Sequence, residues 1–311
     1  VANAFLEWKM DSVTTLIFRP QYRFSANDRE NKGFQEGWGN DVLLNEKVSS
    51  GSSHNSQYNV TMMLQLSRKL SQKGRNVALK VDYGTNSSSN DRKNLSTTHY
   101  FKNDREDSKN QKIEDDINGY NYRVQLVYVE PLLWMHHLQL RYSYQYKVNN
   151  SDRFVYDWNE DLGEFTPDYD ESASNQFENQ YSNHLLNLAV RTSRKKYNYN
   201  VGVDLEPQKS VSHSLLSDPP EEPLKRSVLN FSPTVNFRYK FSKRTRLQIV
   251  YRGKGRQPNV RDLQPVEDRT NPLNIRVGNP ALKPSYTNTF TLNFNSYHTK
   301  RQRNIVASLL V

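Results

Sequence analysis

Residues 137–146 read HLQLRYSYQY, and every second position from Leu138 is apolar or aromatic. The positions between them are Gln139, Arg141, Ser143 and Gln145. Strict alternation with a period of two predicts a β-strand whose two faces meet different surroundings. The polar face suits water, whereas the apolar face suits either a protein core or lipid.

Similar alternating segments come in pairs along the whole chain of 311 residues. A short turn joins the two members of each pair, and these turns recur about every 60 residues. The turns lie near residues 11, 72, 134, 194, 243 and 301. The pattern therefore predicts six hairpins and twelve strands of one repeating all-β architecture.

Long polar segments, rich in Asn, Ser, Asp, Glu and Gly, connect one hairpin to the next. They cover residues 26–56, 85–117, 149–180, 207–228 and 255–285. Loops this long are uncommon in compact soluble domains. Short turns at one end and long loops at the other are typical of a bacterial outer-membrane barrel. We therefore expect the short turns to face the periplasm and the long loops to face the outside.

The net charge of +10 is not spread evenly along the strands. Most of the 33 acidic residues lie in the long polar segments, whereas Lys and Arg gather at the short turns. The basic residues thus form no single face interleaved with aromatic side chains, which is the pattern of a nucleic-acid site. We expect no nucleic-acid partner.

Tyrosines concentrate near the ends of the apolar faces, as in the aromatic girdles of membrane barrels. A hydrophobic content of 35% is compatible with such a barrel, because only half of each strand must be apolar. Alternation alone also allows a soluble β-sandwich or propeller. The asymmetry of the connections favours a transmembrane, antiparallel, up-and-down β-barrel with a lipid-facing apolar surface.

The C-terminal third carries more specific motifs. They read RYKFSKRTRLQIVYRG (238–253), RQPNVRDLQPV (256–266), NPLNIRVGNPALKPSYTNTFTLNF (271–294) and KRQRNIVAS (300–308). This stretch resembles the β-barrel part of TonB-dependent outer-membrane receptors, in particular the outer-membrane β-barrel family common in Bacteroidota.

The resemblance implies a parent barrel of about 22 strands that encloses a plug domain. No plug-like region is visible within 1–311, so we expect this chain to be a fragment of such a barrel in a Gram-negative outer membrane. The alternative is a barrel that closes with twelve strands. The implied function is active nutrient uptake. The implied partners are outer-membrane lipid, a TonB-type energising complex reached through parts absent here, a surface lipoprotein and an unidentified nutrient. No cofactor is implied.

One motif segment is predicted to have a structural role. Gly278 permits a backbone turn that other residues disfavour, and Pro280 and Pro284 fix φ before the strand that begins near Tyr286. We expect it to guide the chain from a long connection back into the sheet. The motif positions are Gly278, Asn279, Pro280, Leu282, Lys283 and Pro284.

The acidic segment 155–171 is the most distinctive candidate for ligand binding. Its aromatic side chains, Tyr156, Trp158, Phe165 and Tyr169, suit stacking on a sugar or contact with a peptide. The alternative is that they pack on their own neighbours. The acidic positions lack the spacing and the final bidentate Glu of an EF-hand calcium loop, so we expect no metal site.

No catalytic motif is present, and we do not expect an enzyme. The chain has no cysteine. Arg123, Arg141 and Arg238 are predicted to face the lumen, where they would either favour anionic cargo or pair with carboxylates of a plug. A passive porin and a soluble, extracellular, glycan- or surface-binding β-protein remain open as alternative functions.

Overall fold

The computed structural model consists of antiparallel strands and turns. It describes residues 1–132, 136–216, 222–256, 258, 262, 267–268, 276–279, 281–283, 285–298 and 302–311. Within these ranges no helix has the length and hydropathy needed to cross a bilayer.

The strands follow one another with few irregular segments. They are β1 (Ala2–Asn3), β2 (Leu6–Lys9), β3 (Thr14–Gly39), β4 (Val42–Lys69), β5 (Asn76–Tyr100), β6 (Arg105–Pro131), β7 (His136–Asn159), β8 (Glu164–Phe165), β9 (Asn175–Ser193), β10 (Tyr197–Ser214), β11 (Leu224–Lys240), β12 (Thr245–Arg256), β13 (Glu267–Asp268), β14 (Arg276–Val277), β15 (Ser285–His298) and β16 (Arg303–Leu310).

One antiparallel sheet contains almost all of these strands, in the order β1-β3-β4-β5-β6-β7-β9-β10-β11-β12-β15-β16. Each strand in this path after β3 pairs with its predecessor, and β13 and β14 form a separate pair. This up-and-down topology confirms the all-β antiparallel prediction. Within the described residues no ladder joins β16 to the first strand, so the sheet is open rather than closed into a barrel.

The first predicted strand is divided into β1 and β2 by a proline on its neighbour. Asn3 pairs with Gln21 and Leu6 pairs with Phe18, so both pieces share one register along β3. Between them the Ala4 amide donates to the Pro20 carbonyl at 3.1 Å. Pro20 has no N–H to return the second bond, which interrupts the ladder. Counting β1 and β2 as one strand gives the twelve strands that the sequence predicts.

The strands extend far into segments that the sequence predicts as loops. β3, β4, β5 and β6 contain 26, 28, 25 and 27 residues, and their ladders run through 26–56 and 85–117. Strands also enter 149–180 and 207–228, whereas most of 255–285 lies outside the described residues. The loop bounds therefore need correction. The apolar alternation ends where both faces meet water, but backbone pairing continues without it.

Short connections lie at 10–13, 70–75, 194–196 and 241–244, where the sequence predicts turns near 11, 72, 194 and 243. The predicted turns near 134 and 301 lie outside the described residues. At the opposite end of β3 and β4, Asn40 and Asp41 both have positive φ, 50° and 60°. Two such residues fit the right-handed twist of a tight hairpin.

The turn before β3 is organised by one carboxylate. Asp11 accepts hydrogen bonds from the amides of Val13 at 2.7 Å and Thr14 at 2.6 Å, and from the Thr14 hydroxyl at 3.0 Å. The backbone hydrogen bond from Val13 holds the pKa of Asp11 below its usual value of 3.8. Burial opposes this shift, whereas Thr14 and Arg68 lower the pKa further.

This lowered pKa predicts a turn that loosens in acid. Because the pKa in the folded state lies below that of the unfolded state, the stabilisation by Asp11 is present above 3.8 and is lost as the pH falls through the folded pKa. Hydrogen exchange at the Val13 and Thr14 amides measures this. The protection factor of the wild-type protein divided by that of Asp11→Asn should exceed one near neutral pH. This ratio should approach one as the pH falls through the folded pKa of Asp11. A ratio that does not change with pH would contradict the assignment.

Candidate functional site

The two faces of the sheet differ sharply along β7. We call the face that carries Leu138, Leu140 and Tyr142 the outer face, and the face that carries Arg141 and Ser143 the inner face. Leu140 and Tyr142 are 40% and 45% exposed, whereas Ser143 is only 8% exposed. Polar side chains are thus enclosed and apolar ones are exposed, the reverse of a soluble protein.

The apolar character of the outer face continues from strand to strand. One row of directly paired residues crosses eight strands without a polar member. It consists of Leu16, Leu66, Leu79, Leu126, Tyr142, Leu186, Leu205 and Phe231. A continuous exposed apolar band of this kind requires an apolar environment.

The inner face carries mainly amide, hydroxyl and charged side chains. Several of these residues have a buried polar atom that makes no hydrogen bond within the described residues. They are Asn45, Asn55, Asp82, Arg92, Gln111, Arg141, Asn183 and Asn187. The strand registers place all of them on the inner face. Because unpaired polar groups are costly in an apolar medium, this face suits a hydrated lumen.

The inner face is rich in cations. Arg123, Arg141 and Arg238 all lie on it, as the sequence predicts. Arg123 donates to Gln145 Oε1 at 2.9 Å, and Arg141 lies 3.6 Å from Asp204 Oδ1. Further cations occupy inner positions of β11 and β12, where the described residues of these two strands include no inner carboxylate. They are Lys240, Arg246, Arg252, Lys254 and Arg256.

Charge also separates across the polar extension, by which we mean residues 26–56, 86–118 and 149–159. Its outer face carries Asp28, Glu30, Glu36, Glu46, Asp91, Glu106, Glu114, Asp116 and Asp152, with few cations. Its inner face carries Arg29, Lys47, Arg92, Arg105, Lys109 and Arg153, with few acids. An excess of one sign on each face directs anions toward the inner face.

One carboxylate cross-links the inner face of the extension. Asp115 accepts from the Arg92 guanidinium and lies 3.0 Å from Arg153 Nε, so it ties β5 to β7 across β6. Farther along the same face, Lys47 is 7% exposed. Burial lowers the pKa of the Lys47 ammonium, and the neighbouring positive charge of Lys109 lowers it further.

The four predicted ligand-binding aromatics lie close together, but not on the inner face. Tyr156 and Trp158 share the outer face with Leu140, because the β6–β7 register has no bulge. Trp158 pairs with Phe165, their ring centroids 5.1 Å apart in an edge-to-face arrangement. The Tyr169 ring packs at 5.1 Å against Phe154. The structure thus brings these rings into contact with neighbours and directs the two β7 aromatics away from the lumen.

Lysines of β5 and β6 approach two of these rings. Lys112 Nζ lies 5.6 Å from the Tyr156 ring centroid and 2.5 Å from Glu114 Oε1. Lys93 Nζ lies 5.9 Å from the ring of Phe165. Desolvation raises the pKa of the Tyr156 hydroxyl, and the Glu114 carboxylate raises it further. The cluster is therefore held together internally.

The family motif residues form a small turn. The Asn279 amide donates to the Asp262 carbonyl at 2.7 Å, and Asn279 Oδ1 accepts from the Ala281 amide at 2.9 Å. The Leu282 carbonyl accepts a hydrogen bond from Arg226 on β11 at 2.5 Å. Gly278 and Lys283 flank these contacts, while Pro280 and Pro284 lie outside the described residues. These contacts are structural, and a role in ligand binding has no support in them.

Within the described ranges, no group of three or more His, Asp or Glu is arranged to hold a metal ion. Another group of inner residues, namely Phe5, Arg19, Lys80 and Asp82, lines a cavity that no local sequence pattern reveals. Their alternation was visible, but their proximity depends on the pairing of β1, β2, β3, β4 and β5. Extending the pairing of the strands outward from the predicted short turns would have revealed this proximity.

Comparison with known proteins identifies the class. Residues 68–309 match the model of the outer membrane protein beta-barrel family, so the chain belongs to that family. This confirms the resemblance seen in the C-terminal motifs and places the chain in the outer membrane. The outer face is accordingly the lipid-facing surface, and the soluble extracellular alternative is excluded. No curated protein matches significantly.

Several solved structures of outer-membrane proteins align with most of this chain. The ferric preacinetobactin receptor BauA from Acinetobacter baumannii is 8% identical with a TM-score of 0.49, over 94% of this chain and 49% of that one. The siderophore receptor PiuA from the same species is 9% identical with a TM-score of 0.43, over 96% and 55%. The ferric citrate transporter FecA is 9% identical with a TM-score of 0.44, over 94% and 48%. This chain thus spans about half of each.

The assignment of faces predicts opposite labelling of adjacent residues. Single cysteines at Leu140 and Leu188 should react with a lipid-phase thiol reagent, because both side chains are exposed on the outer face. Cysteines at the neighbouring Arg141 and Asn187 should not, because they lie on the inner face. The absence of native cysteine gives a clean background. Equal labelling of Leu140 and Arg141 positions would refute the assignment.

The Asp115 bridge predicts a specific weakness in the extension. Asp115→Asn leaves Arg92 and Arg153 without their shared carboxylate and should destabilise this region by about 1–2 kcal/mol. The matched control is Asp116→Asn, which neutralises the carboxylate that comes next in the sequence but lies on the outer face. Limited proteolysis of intact cells should cut the Asp115→Asn variant sooner within residues 86–118. Equal cleavage rates for the two variants would contradict a structural role of the bridge.

Proposed function

We propose that this chain forms wall and hairpins of a TonB-dependent outer-membrane transporter that takes up an anionic nutrient. The observation that supports this most directly is the inner face, which is polar and predominantly cationic over most of the strands. A lumen of this kind offers hydrogen bonds to a hydrated cargo and attracts negative charge. Family membership supplies the membrane context.

The proposed orientation has the short basic turns in the periplasm and the polar extension outside the cell. Lys and Arg gather at the connections 70–75, 194–196 and 241–244, whereas acidic side chains gather on the extension. In this orientation cargo first meets the rim of the extension, whose inner positions include Lys47, Arg92 and Lys109. The excess of cations continues along the inner face toward the belt, by which we mean the part of the wall whose outer face is apolar. The attraction therefore does not end at the rim.

Energy coupling belongs to parts outside this chain in our proposal. The resemblance to TonB-dependent receptors implies a plug domain within the complete barrel, an energising complex of the inner membrane and a surface lipoprotein that assists capture. Inner arginines such as Arg123 and Arg141 then have two roles. They bias the path toward anions and offer pairing sites to plug carboxylates.

Uptake by the full-length protein tests the proposal. Small molecules retained by the purified protein from culture medium are identified by mass spectrometry, and their accumulation is then measured in cells. An anionic compound should accumulate above its external concentration, and a proton conductor should abolish this excess. Accumulation that stops at the external concentration and ignores the proton conductor would indicate a passive porin instead.

A pair of charge variants tests the part played by the inner face. Arg252→Gln removes an inner cation on β12, and Lys93→Gln removes an outer cation of the extension. The initial uptake rate of the anion should fall severalfold in Arg252→Gln at low salt and change little in Lys93→Gln. Equal rates in the two variants would mean that the inner charge does not guide the cargo.

A further inference from the structure

A cavity of about 590 Å³ opens beside the break between β1 and β2. Its lining includes Phe5, Arg19, Met63, Lys80 and Asp82. Met63 pairs with both Arg19 and Asp82, so these side chains share the inner face. The volume is in the range of small-molecule sites, which are about 300–1,000 Å³. The cavity is therefore large enough for an organic ligand in the lumen.

Arg19 presents a positive charge and a flat surface in this cavity. The register on either side of the break places Phe5 opposite Arg19, and the guanidinium carbon lies 4.6 Å from the Phe5 ring centroid. Within the described residues Arg19 makes no ion pair with a carboxylate. Stacking on the ring fixes the plane of the guanidinium while its N–H groups stay open to a bidentate acceptor. Phe5 is 56% exposed, so another group can pack beside it.

Lys80 and Asp82 define the opposite end of the cavity. Lys80 Nζ lies 2.9 Å from Asp82 Oδ1, which neutralises both charges, while Asp82 Oδ2 is buried without a hydrogen bond in the described structure. The cavity therefore carries one net positive charge, which is that of Arg19. Arg19 and Asp82 lie two strands apart, or about 10 Å. Between them Met63 offers an adaptable apolar surface.

We propose that this cavity binds an organic anion in which one carboxylate is attached to an aromatic or flat apolar group. The carboxylate pairs with Arg19, and the flat group packs beside Phe5 and over Met63. A hydrogen-bond donor at the far end of the ligand reaches Asp82 Oδ2. A role for the site in transport rests on the proposed function, whereas binding itself needs neither a plug nor an energy source.

Binding of benzoate to the full-length protein in lipid nanodiscs tests this site, with benzamide as the neutral probe of the same shape. Arg19→Gln should raise the Kd for benzoate about tenfold and leave that for benzamide unchanged. Arg23→Gln is the matched control, because Arg23 lies on the same face of β3 but outside the cavity. Its Kd for benzoate should stay within about twofold. Titrations followed by saturation-transfer NMR measure these constants.

Two further variants separate charge from shape. Arg19→Lys keeps the positive charge but loses the paired N–H donors of the guanidinium, and Phe5→Leu removes the aromatic ring. Each variant should therefore weaken benzoate binding less than Arg19→Gln does. Retention of heat-modifiable electrophoretic mobility shows that each variant is folded. Equal weakening by Arg19→Gln and Arg23→Gln would overturn the proposal. It would mean that the overall positive potential of the inner face, rather than the cavity, attracts benzoate. Equal affinity of the wild-type protein for benzoate and benzamide would also overturn it.

These outcomes are independent of the uptake experiment. Arg19-dependent benzoate binding without energy-dependent accumulation would refute the transporter while leaving the site in place. Energy-dependent accumulation, together with benzoate binding that does not depend on Arg19, would refute the site and leave the transporter in place.

Discussion

The backbone hydrogen-bond ladder is the interaction on which the rest of this molecule depends. In a bilayer no water satisfies an exposed N–H or C=O group, so β-strands can cross only if neighbouring strands satisfy each other. Here the antiparallel registers run without a shift over nearly the full length of most strand pairs. Pro20 interrupts the ladder only on the side facing β1 and β2, where a single carbonyl loses its partner.

An unshifted register also fixes which side of the wall each residue faces. With a side-chain period of two, a slip of one position would exchange the apolar and polar faces of a whole strand. The row from Leu16 to Phe231 and the enclosed Ser143 and Asn187 are therefore two results of the same constraint. The constraint persists in the polar extension, where it separates charge rather than hydrophobicity. Asp115 and Asp116, adjacent in sequence, thus have entirely different environments.

The sequence predicts the belt well, because lipid on one side and water on the other impose the alternation directly. It predicts the extension poorly, because water on both sides removes that alternation while Ser and Asn still pair through their backbones, as in Ser52–Lys93 and Asn90–Asp115. The aromatic candidates show a second limit. Their composition was informative, but the side faced by Tyr156 and Trp158 follows from an unbroken β6–β7 register. The Arg19 cavity depends on three pairings at once, which no local pattern contains.

The long hairpin of β3 and β4 has a consequence for how the cell surface is recognised. From Phe24 to the Asn40–Asp41 turn the paired strands would rise about 35 Å above the belt if they keep a tilt near 45°. In the proposed orientation, this tip lies outside the cell, where an antibody or a bacteriophage can contact it. The residues at the tip have little to do with anchoring the barrel, so selection by such particles can change them freely. Sequence variation selected by antibodies or bacteriophages should accordingly concentrate at this turn. The inner wall, on which uptake of the cargo depends, should stay unchanged.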